Sequence, residues 1–305
     1  METEPLSLNN FKRIAVLSFI TVLPTLFTSC ITKGPVSNLH YDFNQYEKCK
    51  VSKKLREISA LSYHKSKLYT IDDEDGIIYT IDSECELIEK NKFGKDGDYE
   101  GIEKVGNTVY ILKSNGNIYE YKDGEETKKY NTALSSKNNT EGLGLDTGRE
   151  NLLIACKGSA SLSPMNPLKG QKAIYQFDLQ KKELNTKPLF TVKDKDLEKF
   201  VKKKAGFSKF EAAVFSARAK QFSPSAIAVH PITKDYYILS SRGRLLVVFN
   251  QKFKIKEIEF LNGDIFEQPE GIAFNNEGDL FISNEGRQKR GKLITLKYKG
   301  SKNHN

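Results

Sequence analysis

The sequence predicts an all-β protein: a five-bladed β-propeller of four-stranded antiparallel blades, with a helical insertion in blade three. Three observations predict it. A short motif recurs, since Gln268-Pro269-Glu270-Gly271-Ile272-Ala273-Phe274 has the same form as Tyr99-Glu100-Gly101-Ile102 and Thr140-Glu141-Gly142-Leu143-Gly144. Weaker copies are Ile58-Ser59-Ala60-Leu61 and Pro224-Ser225-Ala226-Ile227-Ala228. Aligned on the acid-or-serine position, Ser59, Glu100, Glu141, Ser225 and Glu270 stand 41, 41, 84 and 45 residues apart, the signature of a repeat architecture. Each copy also opens a series of short alternating strands bounded by Gly, Asp and Asn turns, and four such strands per repeat make a propeller blade.

In chain order, residues 1–30 read as an export signal. Lys12-Arg13 precedes an apolar run from Ile14 to Phe27, too short to span a bilayer comfortably as a permanent helix. It ends Leu26-Phe27-Thr28-Ser29-Cys30, similar to a bacterial lipobox with Phe27 where leucine is usual. The expectation is a lipoprotein acylated at Cys30, its partner the membrane and its place the bacterial cell envelope; an ordinary cleaved signal is the alternative. Residues 31–45 read as a tether, 46–298 as the propeller and 299–305 as a polar tail.

The first blade follows its motif strand with Lys67–Asp72, the turn Asp73-Glu74-Asp75-Gly76, Ile77–Asp82 and a less regular strand through Glu86–Lys90. The second has Thr108–Leu112 and Ile118–Tyr121, the third Leu152–Cys156 and Ala173–Asp178, the fourth Asp235–Leu239 and Leu245–Phe249, the fifth Asp279–Ser283 and Lys292–Leu296. The 84-residue interval invites a sixth blade, but it contains no sixth motif copy. It holds a polar loop from Gly158 to Gln171 and two stretches with helical character, Asp196–Val201 and Phe210–Phe215, so insertion in blade three is the better explanation. Tyr41-Asp42-Phe43 is placed to supply the outer strand of the last blade and close the ring.

Composition excludes several classes. The formal charge is +9, but Lys and Arg are scattered over polar stretches and do not interleave with aromatics, so nucleic-acid binding is not expected. The densest basic run, Lys181 to Lys204, is either a solvated face or a contact with an anionic envelope surface. Cys30, Cys49, Cys85 and Cys156 form no CxxC, and with four histidines a zinc site is not expected. With Cys30 acylated, at most one disulfide joins two of the other three, and the pairing stays open.

In an up-down-up-down blade, the start of strand one and the turn between strands two and three share a face. Ser59, Glu100, Glu141, Ser225 and Glu270 therefore ring one channel mouth. Asp73, Glu74, Lys157, Arg242 and Glu285 join the same rim from the turns, with Asp72, Lys113, Ser114, Ser241 and Asn284. Converging carboxylates with hydroxyls and amides favour a hard cation such as Ca²⁺. The competing reading has these side chains accept backbone N–H groups from the next blade and lock the ring. The Gly after each Glu points to close strand packing around a narrow axis.

The ordered set Ser59, Glu100, Glu141, Ser225, Glu270, in its five motif contexts, resembles the SdiA-regulated (YjiK-like) family over about residues 45–298. The resemblance implies a five-bladed propeller of the bacterial envelope; that family has no established biochemical activity. Lys113-Ser114 departs from the acidic-basic pair expected there, and the basic insertion in blade three departs as well. The leading expectation is a membrane-anchored propeller that binds a small ligand or divalent metal at the acidic mouth. Its rivals are a metal-dependent hydrolase resembling lactonase and phosphoesterase propellers, with Glu141 or Glu270 as general base, and a scaffold that binds a protein.

Overall fold

A computed structural model describes residues 39–300 except Pro164 and Ala205. The chain divides into two units, Met1–Lys33 and Gly34–Asn305, and every described residue belongs to the second. The expected export signal with Cys30, the first part of the expected tether and residues 301–305 lie outside the described residues. Among those described, no helix is long and apolar enough to cross a membrane.

Five antiparallel sheets form the ring, each four strands deep, with the outermost position of blade three divided between two short strands. The inner strands are Ile58–His64, Tyr99–Val105, Thr140–Leu145, Ser223–Val229 and Pro269–Phe274. Each touches the inner strands of the blades before and after it, the fifth returning to the first. This closeness explains the motif glycines. A Cβ on Gly101 would sit 2.6 Å from the Leu143 Cβ of the next blade, and one on Gly142 3.0 Å from the Ala226 backbone. Side chains alternate along each strand, so both faces of every blade carry apolar residues. They pack into five clusters between neighbouring blades, with Ile102 and Ile111 between blades one and two and Tyr237 and Ile282 between four and five.

The ring closes with Glu47–Lys50, which pairs antiparallel with Lys292–Leu296 as the outer strand of blade five. Tyr41-Asp42-Phe43 does not do this. Tyr41 is instead buried among His230, Tyr237 and Tyr298, and its hydroxyl donates to the Gly278 carbonyl at 2.6 Å. An aromatic side chain that buries this much surface holds its segment in the core and leaves strand pairing to the polar residues after it. A disulfide, Cys49–Cys85, ties the closing strand to blade one, and Cys156 is a buried free thiol. Linking residues 36 apart stabilises the fold by about 3–4 kcal/mol on chain-entropy grounds.

Five blades account for the whole interval that suggested six. Blade three has a long turn between Asn151–Cys156 and Gln171–Asp178, and its outer position is shared by Glu183–Leu184 and Phe190–Lys193. The helices α1 (Asp194–Lys203) and α2 (Lys209–Ala219) follow that outer strand and precede blade four. Both run longer than the apolar pattern alone suggested. Ser208 and Glu211 form a reciprocal capping box at the start of α2, which satisfies orphan backbone donors there.

Candidate ligand and cation site at the acidic channel mouth

The motif residue has a distinct place in every blade. Inner-strand pairing slips between Ile58 and Ala60, Tyr99 and Gly101, Thr140 and Gly142, Pro224 and Ala226, and Pro269 and Gly271. Ser59, Glu100, Glu141, Ser225 and Glu270 are thus the extra residues of five equivalent β-bulges. A bulged residue is left out of the ladder and its side chain is re-aimed. In this ring the bulges fall at the strand starts, at one mouth of the channel.

The two serines use that position to tie blades together. Ser59 Oγ donates to the Tyr99 carbonyl at 3.0 Å, and Ser225 Oγ to the Pro269 carbonyl at 2.9 Å. Each bond runs to the residue before the glutamate of the next blade, so the ring-locking role belongs to the serines, as donors to carbonyls. The glutamates do something else. Glu141 accepts from Asn139 Nδ2 at 2.9 Å and pairs with Lys157 Nζ at 3.0 Å. Glu100 has no hydrogen-bond partner among the described residues and opens into a cavity of about 140 Å³.

Six carboxylates line this cavity, from Glu57, Asp73, Glu100, Glu141, Glu270 and Glu285, together with Ser59, Gln268 and a single ammonium, Lys157. Carboxylate oxygens of Glu57, Asp72 and Asp73 lie within 4.8 Å of one another. Asp73 Oδ1 is buried and has no hydrogen-bond partner among the described residues. Crowded, desolvated like charges favour their neutral forms. Burial, then the charges of Glu141 and Asp98, push Glu100 up to about 9. Burial and Glu141 push Glu270 up to about 8, and burial with Asp72 and Glu57 pushes Asp73 up to about 7. Burial also raises Glu141 and Glu285. Burial works against the charge of Lys157, but Glu141 beside it, then Glu270 and Glu100, hold its ammonium above the ordinary range. Chemically, the mouth is a concave oxygen-rich site in which carboxylates outnumber cations: Lys157 pairs with Glu141, and at the rim Arg56 pairs with Glu57 at 2.7 Å and Arg287 donates to Gln268 Oε1 at 2.6 Å.

Of the residues placed at this mouth from sequence, the structure gathers Ser59, Glu100, Glu141, Glu270, Asp73, Lys157 and Glu285 around the cavity. Ser225 is buried in its inter-blade bond and does not line it. Glu74, in the bend after Lys67–Asp72, and Arg242, at the end of the strand Tyr236–Arg242, are exposed and stand outside the lining. Ser114 points to Asp98 and donates to its carboxylate. Sequence reasoning missed Glu57 and Gln268 in the lining, and Asp98 and Asn139 beside it. A signal existed: each stands two residues before a motif position, so this offset is an acid or an amide in four of the five blades.

The other ends of the inner strands enclose a larger cavity, about 190 Å³, of different character. Leu61, Leu145 and Ile272 line it together with two carboxylates, Glu103 and Asp146, and two basic side chains, Arg149 and Lys234. Glu103 accepts from Ser62 Oγ at 3.1 Å, and burial pushes it up to about 8. Size favours this cavity; the density of groups able to bind charge favours the acidic one.

No family model matches the sequence, and no curated protein does. Solved structures with a similar chain path are β-propeller proteins. They include virginiamycin B lyase from Staphylococcus aureus, at 11% identity and TM-score 0.45, covering 83% of this chain and 88% of that one. A protein of unknown function from Bacteroides thetaiotaomicron aligns at 9% identity and TM-score 0.48, over 84% and 73%. A gluconolactonase from Xanthomonas campestris aligns at 10% identity and TM-score 0.43, over 76% and 69%. At this distance the likeness extends to chain path alone.

Proposed function

We propose that this protein is an envelope propeller, anchored through lipid at Cys30, whose acidic channel mouth binds a divalent cation of the Ca²⁺ type or a cationic ligand. One observation carries the reading: six carboxylates face one ammonium in a small cavity, and the three motif glutamates are not spent on locking the ring. Ca²⁺ takes six to eight oxygen ligands, and Glu57, Asp73, Glu100, Glu270 and Glu285 with the Gln268 amide are the candidate donors. Bound, it would replace the protons that Glu100 and Glu270 otherwise hold. The Cys49–Cys85 disulfide supports an exported protein, since such bonds persist in oxidising compartments. The order Ser, Glu, Glu, Ser, Glu over five bulges supports membership of the SdiA-regulated (YjiK-like) type.

The test is thermal unfolding of the purified chain in excess EDTA against millimolar Ca²⁺. A ligand of the folded state at a hundred times its Kd stabilises it by about 2.7 kcal/mol, so the transition should move up by a few degrees. Glu100→Gln/Glu141→Gln/Glu270→Gln should fold and lose that shift. No shift in the wild type at any pH rules out the cation and leaves a cationic organic ligand or a protein partner. A hydrolytic reading draws on Glu270 and Asp73, whose pKa values of about 8 and about 7 suit proton transfer near neutrality. Turnover of lactones or phosphoesters that depends on Ca²⁺ and on Glu270 would establish it.

A further inference from the structure

Helix α2 is apolar on two sides, and only one is covered. Its inner side packs Phe215 against Phe207 and Phe260, with Ala219 fully buried. The Arg218 guanidinium fastens the helix to blade four by donating to the carbonyls of Gly243, Arg244 and Leu261 at 2.9–3.0 Å. On the outer side Phe210, Ala213, Val214 and Ala217 are all exposed, Phe210 by 78% and Val214 by 43%. Their spacing of i, i+3, i+4 and i+7 makes one continuous stripe. A helix held this firmly, with an apolar stripe turned outward, is built to meet a second surface.

Charge identifies that surface. Residues 193–220 contain nine Lys or Arg against four Asp or Glu, a net +5 out of +9 for the whole chain. The acids here are largely occupied: Glu198 pairs with Lys202 and Lys220, and Glu211 caps its own helix. Lys195, Lys199, Lys203 and Lys209 are exposed and in no ion pair among the described residues. An exposed phenylalanine with a valine, flanked by unpaired lysines, matches the boundary between anionic headgroups and acyl chains. A protein partner is less favoured, because lysine is depleted at protein interfaces.

We infer that α2 is a peripheral membrane-docking element, inserting Phe210 and Val214 into an anionic lipid surface while the lysines of α1 and α2 contact headgroups. The inference does not rest on the anchor at Cys30 or on the acidic mouth. Docked in this way, α2 would fix the orientation of the ring against the bilayer.

The chain from Gly34 onward contains the closed ring and lacks Cys30, so its binding to vesicles reports on this face alone. It should co-sediment with phosphatidylcholine–phosphatidylglycerol vesicles and not with phosphatidylcholine alone, and high salt should release it. Phe210→Glu/Val214→Glu, both at exposed positions, should weaken partition by about tenfold or more, and Lys199→Glu by about fivefold. Because the protein has no tryptophan, Phe210→Trp is a clean probe, and its emission should shift to the blue on anionic vesicles. Binding that ignores Phe210→Glu/Val214→Glu, or a Phe210→Trp emission that does not move, overturns the proposal. So does a chain that stays off anionic vesicles and self-associates through the stripe.

Discussion

The two mouths of the channel are made from the same five strands and differ in almost every chemical respect. At the strand starts, bulges push Glu100, Glu141 and Glu270 into a cavity of about 140 Å³ with Lys157 as its one cation. At the strand ends the pairing is regular, and Leu61, Leu145 and Ile272 line about 190 Å³ in which two carboxylates, Glu103 and Asp146, meet the basic side chains of Arg149 and Lys234. Regular pairing with apolar side chains stabilises the ring, whereas crowded buried carboxylates oppose folding unless something neutralises them. The contrast teaches that the acidic mouth carries an electrostatic cost that the other mouth, with fewer carboxylates and more basic side chains, does not.

The largest effect should follow from removing the lone cation. Lys157→Met leaves Glu141 buried without its ion pair, and loss of one partner in such a pair costs about 3 kcal/mol. Denaturant unfolding should show this cost above the ordinary carboxylate range, where Glu141 ionises, and added Ca²⁺ should recover much of it. An unchanged midpoint would mean that Lys157 is not what balances the site.

Next in size is the pH dependence. Glu100 and Glu270, with folded values of about 9 and about 8, hold protons that the unfolded chain has already released. Their contribution is therefore complete below an ordinary glutamate value of about 4.3 and is lost as pH rises through about 8 to 9. In EDTA, stability should fall across that window; in Ca²⁺ the fall should flatten, because cation and proton compete for the same oxygens. Glu103→Gln sharpens the comparison. It should remove part of the decline in EDTA, since Glu103 also sits at about 8, and leave the Ca²⁺ response unchanged. A Ca²⁺ response lost with Glu103 would place the cation at the wrong mouth.

The smallest effect separates serine from glutamate at equivalent bulges. Ser59→Ala and Ser225→Ala each remove one inter-blade hydrogen bond and should cost about 1 kcal/mol. Ser225→Ala should leave the Ca²⁺ shift intact, since Ser225 stands outside the cavity.

The architecture was legible because propeller repeats write it twice, in the spacing of the motif and in the alternation of each strand. The place of Ser59, Asp73, the three motif glutamates, Lys157 and Glu285 around one mouth was legible from topology alone. What escaped had physical reasons. The bulge is a backbone event with no fixed residue code, although Glu-Gly at three of five positions marks it. Glu57 and Gln268 precede the strands, where alternation gives no guide to direction. Arg242 ends a strand and Glu74 lies in a bend, and sequence alternation does not say which way a side chain at such an edge points. Ring closure fell to Glu47–Lys50 because Tyr41 found a buried aromatic site near Gly278, 237 residues away in sequence. No local pattern reports a contact of that range.

The central claim is that the acidic mouth exchanges protons for a cation. Calorimetric titration of Ca²⁺ near neutral pH, repeated in buffers of different ionisation enthalpy, measures both the binding and the protons released. The account predicts saturable binding with net proton release that declines as pH approaches 9, where Glu100 is deprotonated beforehand, and loss of both in Glu100→Gln/Glu141→Gln/Glu270→Gln. Absence of binding, or binding that releases no protons and survives the triple substitution, would contradict it.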